Sequence, residues 1–151
     1  MNLTIKHSTV DDMLAHAGSL FDAHWQEIAL NKQVMVLKPD AERYRAMESA
    51  GALMILSAYD GDELVGYSVN FVTNHLHYAD LRVCSNDLLF ITPEYRQGGA
   101  GLRLMRATEN AAKECGARMM LWHAKPDTAL QMILPRMGYG VQDIIYSTEL
   151  G

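Results

Sequence analysis

Apolar and polar positions alternate from Leu3 to Lys6, which predicts a short opening strand. Thr9-Val10-Asp11-Asp12 then has the form of a capping box, with Thr9 as N-cap and acids in the first turn. A helix is expected to carry the stripe Leu14, Ala17, Phe21, Trp25 and Ile28 against a sheet. A second, shorter helix is predicted to open near Pro39-Asp40 and to end before Gly51. Leu53 to Tyr59 and Glu63 to Thr73 flank Asp60-Gly61-Asp62 and read as a β-hairpin. Leu81 to Thr92 reads as the next strand, ended by Pro93.

From Gly101 the period changes to that of a helix. Leu104, Met105, Thr108, Ala111, Ala112 and Cys115 share one face, and Gly116 stands as C-cap. Ala117 to Ala124 is expected to be a buried strand, Pro126 to open a last helix that stops at Gly138, and Val141 to Leu150 to supply one or two closing strands. The order β-α-α-β-β-β-α-β-α-β, without repeat or linker, predicts one mixed α/β domain over residues 1–151.

Composition narrows the function. The chain has 151 residues, 49% of them hydrophobic, enough for one core. A net charge of −5 argues against nucleic acid or anionic lipid as a partner held by bulk electrostatics, though a local basic pocket is compatible with it. No apolar run approaches the roughly 20 residues that span a bilayer, and the N-terminus lacks a secretory pattern, so a cytoplasmic location is expected. Cys84 and Cys115 lie in apolar segments without CxxC spacing and are expected to be buried thiols. The six histidines show no ligand spacing, so no metal is predicted.

The stretch from Asp87 to Gly101 runs from a strand through a glycine-rich turn into a helix. That geometry suits phosphate: glycines allow close approach, and the first amides of a helix, with its dipole, favour negative charge. The stretch lacks the Gly-Lys-Ser/Thr of a nucleoside-triphosphate loop and the full GxGxxG of a dinucleotide fold.

Arg96, Gly99 and Gly101 match the Arg/Gln-x-x-Gly-x-Gly/Ala hallmark of the GNAT superfamily of N-acetyltransferases, which the chain resembles over Asp87 to Tyr139 and more weakly before it. His75-Leu76-His77-Tyr78 is similar to small members of phage genomes. The resemblance implies a mostly antiparallel mixed sheet flanked by about four helices, with acetyl-CoA in a gap beside the strand of Leu89, Phe90 and Ile91. By the same resemblance the amides of Gln97, Gly98, Gly99, Ala100, Gly101 and Leu102 hold the pyrophosphate, with Arg96 and Asp127 also at the cofactor site. Dimerisation is expected only by analogy with the superfamily.

The resemblance also implies transfer of acetyl to a primary amine, and here the chain departs from the pattern. The tyrosine that protonates the leaving thiolate in many members is replaced by Leu134, and a strand glutamate used as base corresponds to Trp122. Asp87 is therefore the first candidate base, followed by His77, with Tyr139 as a substitute acid. His123 is expected to be a core histidine, and Arg96 a phosphate ligand. Acceptor recognition is expected in Trp25 to Pro39 and around His75 to Asp80. The alternative is a non-catalytic acyl-CoA-binding module that kept the loop and lost proton transfer.

Overall fold

The computed structural model describes residues 2–151. Five strands form one sheet in the order of the chain: β1 (Leu3–Ser8), β2 (Leu53–Asp60), β3 (Glu63–Asn74), β4 (Arg82–Ile91) and β5 (Met119–Leu121). The first four are antiparallel and β5 runs parallel to β4. Five α-helices accompany the sheet: α1 (Val10–His16), α2 (Gly18–Ile28), α3 (Ala41–Ser49), α4 (Ala100–Glu114) and α5 (Ala129–Ile133).

Two cores lie on opposite faces because strand side chains alternate. Val10, Met13, Ala17 and Phe21 pack with Ile55, Tyr67, Val69 and Phe90 on one face, joined by Tyr44. Leu104, Ala111 and Ala112 of α4 pack with Leu56, Val65, Cys84 and Ile91 on the other. The capping box forms as its sequence predicts, with the Asp12 amide donating to Thr9 Oγ1 at 3.1 Å and the Thr9 amide to Asp12 Oδ2 at 3.3 Å.

The structure departs from the sequence expectations in five places. The first long helix is two, because Ala17 leaves helical geometry (φ −102°, ψ 1°) and Gly18 starts again; Phe21 and His24, rather than Trp25, then face the core. The last helix is α5, capped by Thr128, followed by a 3-10 turn that Pro135 opens. The strand expected over Ala117 to Ala124 shrinks to three partly exposed residues at the sheet edge. Val141 to Leu150 forms no strand and is exposed throughout. Cys84 is buried as expected, but Cys115 is exposed at the end of α4.

Candidate active site

The strand β4 is bulged where the chemistry is expected. Val69 pairs with Leu88, but the next partner of β3, Asn70, pairs with Asn86, so Asp87 is the extra residue. A buried polar network on the α4 face fixes this kink. Asn86 Nδ2 donates to Leu88 O at 3.0 Å, bridging the bulge, and to Asn70 Oδ1 at 2.9 Å. Asn70 Nδ2 donates to Met54 O and Ser68 Oγ, and Thr108 of α4 donates to the same Ser68 oxygen at 2.9 Å. The sequence signal for it was two asparagines within apolar strands, which pattern reading passes over.

On its outer side β4 loses its neighbour just before the bulge. β5 pairs only with Val83–Ser85, so the outer edge of β4 from Asn86 onward faces no strand. The Thr92 amide donates back to Val65 O at 2.8 Å. By strand alternation the N–H and C=O of Ile91 and Leu89 therefore point away from β3, into this gap. Both groups of Leu89 are available there, while the Ile91 carbonyl accepts Nε of Arg96 at 2.8 Å.

The edge leads into the glycine turn. Gly98 and Gly99 both take left-handed geometry, φ 79° and 80°, and α4 starts at Ala100. Side-chain-bearing residues seldom adopt two such conformations in succession, and they aim the first amides of a fifteen-residue helix outward. Ala100 has its methyl group buried in the core, so only its backbone serves the turn, and Gly101 and Leu102 complete the first helical turn.

Arg96 does not present a free guanidinium to this turn. Its fork donates to both carboxylate oxygens of Glu27 on α2, at 2.7 and 2.5 Å, and its plane lies over Phe90 at 5.4 Å. The bond to Arg96 holds the Glu27 carboxyl below its ordinary range. Beside them, His24 stacks on Phe90 at 4.9 Å, and its Nδ1 lies 3.0 Å from the Tyr67 hydroxyl. Burial lowers its pKa to about 4, with Glu27 opposing and Arg96 assisting.

Asp87 is solvent-accessible but recessed, and desolvation raises its carboxyl above the ordinary range against the opposing charge of His123. His123 is exposed, not a core residue: Nε2 lies 3.0 Å from Ser85 Oγ. Ser85 and Asp87 lie on the face of the sheet opposite the Asn86 network. Tyr44 of α3 packs on that face, its phenol raised by burial and then by the Asp87 charge. Asp87, His123, Ser85 and Tyr44 thus form one polar cluster beside the open edge.

The other sequence candidates lie elsewhere. His77 is in the turn before Arg82, at the opposite end of β4 from the glycines and roughly 30 Å away by strand rise. Tyr139 is on the α4 face, donating to Glu109 at 2.8 Å; burial first, and that bond, push its pKa up to about 12. Asp127 sits beyond β5 in left-handed geometry (φ 61°), its amide held by Gln131. Trp25 is half-buried and donates its indole N–H to Met35 O in the segment between α2 and α3.

Comparison with known proteins places this geometry. A search of curated protein sequences finds no match. Among solved structures, an aminoglycoside acetyltransferase from an uncultured soil metagenomic sample superposes with a TM-score of 0.78 at 12% identity over 100% of both chains. A ribosomal-protein-alanine N-acetyltransferase from Brucella melitensis biovar Abortus 2308 gives 0.73 at 15% identity, covering 99% of this chain and 100% of its own. AAC(6')-Iy, in complex with a bisubstrate analogue of CoA and acetylneamine, gives 0.68 at 18% identity over 100% of both chains. At such identities the likeness shows the fold, that of acetyltransferases. The sequence model of the acetyltransferase (GNAT) family matches residues 19–139, and the chain belongs to that family.

Proposed function

We propose that the protein is an acetyl-CoA-dependent N-acetyltransferase in which a primary amine attacks the thioester directly in a ternary complex. The observation that carries this reading is the open edge of β4 running into the left-handed Gly98-Gly99 pair at the start of α4. An extended pantetheine arm would add to the edge at Leu89 and Ile91 as a strand adds to a sheet. The pyrophosphate would meet the amides of Gln97 to Leu102, where an ideal Cβ at Gly99 or Gly101 finds open space. The bound thioester supplies the acyl carbon, and the chain supplies positioning and proton transfer.

Asp87 is the proposed proton acceptor. Its raised pKa makes it a stronger base than an ordinary carboxylate, and it lies at the bulge beside the edge. The amine must lose a proton whose solution pKa is about 10.4 for a lysine-like group, and Asp87 would take it directly or through one water. His123, bonded to Ser85, offers a path for that proton to solvent. Leu134 cannot donate to a leaving group, and Tyr139 is engaged with Glu109, so as the C–N bond forms the C–S bond breaks and CoA leaves as a thiolate that takes its proton from solvent.

The acceptor is proposed to enter over the α1–α3 face, past Tyr44 and the segment from Ala29 to Asp40, where Val34, Met35 and Val36 are exposed. Amine-dependent release of free CoA thiol from acetyl-CoA, measured across small polyamines, aminoglycosides and peptides, tests the reading. Release with at least one amine class supports it. Saturable acetyl-CoA binding with no release from any class would favour the non-catalytic module that Leu134 suggests.

A further inference from the structure

The segment between α2 and α3 joins the two sides of the site. At its start Glu27 of α2 is bonded to Arg96 at the glycine turn, and at its end α3 brings Tyr44 beside Asp87. Two contacts hold the segment on α2: the Trp25 indole donates to Met35 O at 2.7 Å, and Lys32 Nζ donates to Gln26 O at 2.9 Å. Held in this way, Leu30, Val34, Met35, Val36 and Leu37 stand in solvent, 38% to 70% exposed. Apolar side chains clustered on one short loop mark a contact surface.

The charges around this surface are the wrong ones for a polycation. Residues 29–40 carry Lys32 and Lys38 against a single acid, Asp40, whose carboxylate caps α3 by accepting the Arg43 amide at 3.1 Å. The other acids of the three helices are mostly committed as well. Asp11 holds Arg45, Asp12 takes the Thr9 amide, Glu27 holds Arg96, and Glu48 takes the Val10 amide. Asp22 and Glu42 are exposed, but each lies two residues before a core-facing or half-buried side chain, His24 and Tyr44. A step of two residues turns a helix by about 200°, so both acids point away from the sheet. Asp87 is thus the carboxylate left to meet a cation at the site, enough for one amine.

We propose that the acceptor of the transferase reading above is a small primary monoamine on an apolar alkyl or aryl body, seated on the exposed side chains of residues 30–37. Its ammonium gives one proton to Asp87; as the C–N bond forms and the C–S bond breaks, nitrogen releases a second to water and CoA leaves as a thiolate that is protonated by solvent. A peptide fits this surface less well. The open strand edge at the site, that of β4, is the one the cofactor arm would take, so a peptide backbone would lie over apolar side chains with its amides unpaired.

The test is the rate of CoA thiol release at saturating acetyl-CoA with phenethylamine, hexylamine, spermidine, sisomicin and leucylglycine. The first two should exceed the others in kcat/KM by about tenfold or more. Val34→Glu and Val36→Glu change open positions, and circular dichroism checks their folding. Each should raise KM for phenethylamine several-fold with kcat kept, and lower KM for spermidine. A preference for spermidine, sisomicin or the dipeptide, or glutamate variants that leave both KM values unchanged, would overturn this inference while the transferase reading stands. Release from none of the five amines would overturn both.

Discussion

Arg96 holds Glu27 by a two-pronged ion pair, at 2.7 and 2.5 Å, across 69 positions of sequence. The contact joins the end of α2 to the glycine turn, and Nε of the same arginine holds Ile91 O, so one side chain ties the helix, the strand end and the turn together. Both partners are about 40% exposed, which limits the stability the pair confers to about 1 kcal/mol. Its greater effect is expected on position. Glu27→Gln should lower the melting temperature by only a few degrees while weakening acetyl-CoA affinity several-fold, as measured by thermal denaturation and calorimetric titration.

Gly66 controls how closely β3 and β4 meet at the same end of the site. A Cβ there would lie 2.7 Å from Phe90 O and 2.8 Å from Ile91 Cγ1, with the carbonyl fixed in the backbone. Gly66→Ala should therefore cost about 1 to 3 kcal/mol in urea denaturation and displace the strand end.

His24 makes stability depend on pH. Its folded pKa of about 4 lies below the ordinary 6.5, so between those values the folded chain binds fewer protons than the unfolded one. The contribution is complete above pH 6.5 and is lost as pH falls toward 4, up to about 3 kcal/mol. His24→Gln should flatten that part of the stability profile. A variant that keeps the slope would assign it to other groups.

The sequence made the scaffold legible wherever local chemistry decides structure. Thr9 with Asp12, the Asp60-Gly61-Asp62 turn and the α4 stripe from Leu104 to Ala112 all form as their patterns require. The glycine turn and the helix after it were legible for the same reason. What escaped depends on pairs distant in sequence. Glu27 finds Arg96, Ser85 finds His123, and Asn86 finds Asn70 only through the tertiary fold. His123 read as a core residue because Ala117 to Ala124 is largely apolar. β4–β5 pairing stops at Ser85 and Leu121, and the histidine beyond it is exposed instead. Val141 to Leu150, expected as one or two closing strands, pairs with no neighbour in the single chain.

Proton transfer is tested at Asp87 and His123 separately. Asp87→Asn should reduce kcat/KM about 100-fold or more and remove an acidic limb that titrates above the ordinary carboxylate range, with acetyl-CoA affinity little changed. His123→Gln, which keeps a polar group near Ser85, should slow turnover less and leave that limb in place. Rates unchanged by Asp87→Asn at every pH would remove the carboxylate from the mechanism.

The most direct measurement of the central claim is a calorimetric titration of the purified protein with acetyl-CoA, run beside Gly99→Glu. Gly99 has a left-handed backbone with open space where a Cβ would stand, so a glutamate there strains the turn and sets bulk and negative charge where the pyrophosphate is proposed to lie. Saturable binding by the natural chain that is lost in a folded Gly99→Glu variant is the predicted result. Absence of binding by the folded natural chain, or equal binding by both, would contradict the account.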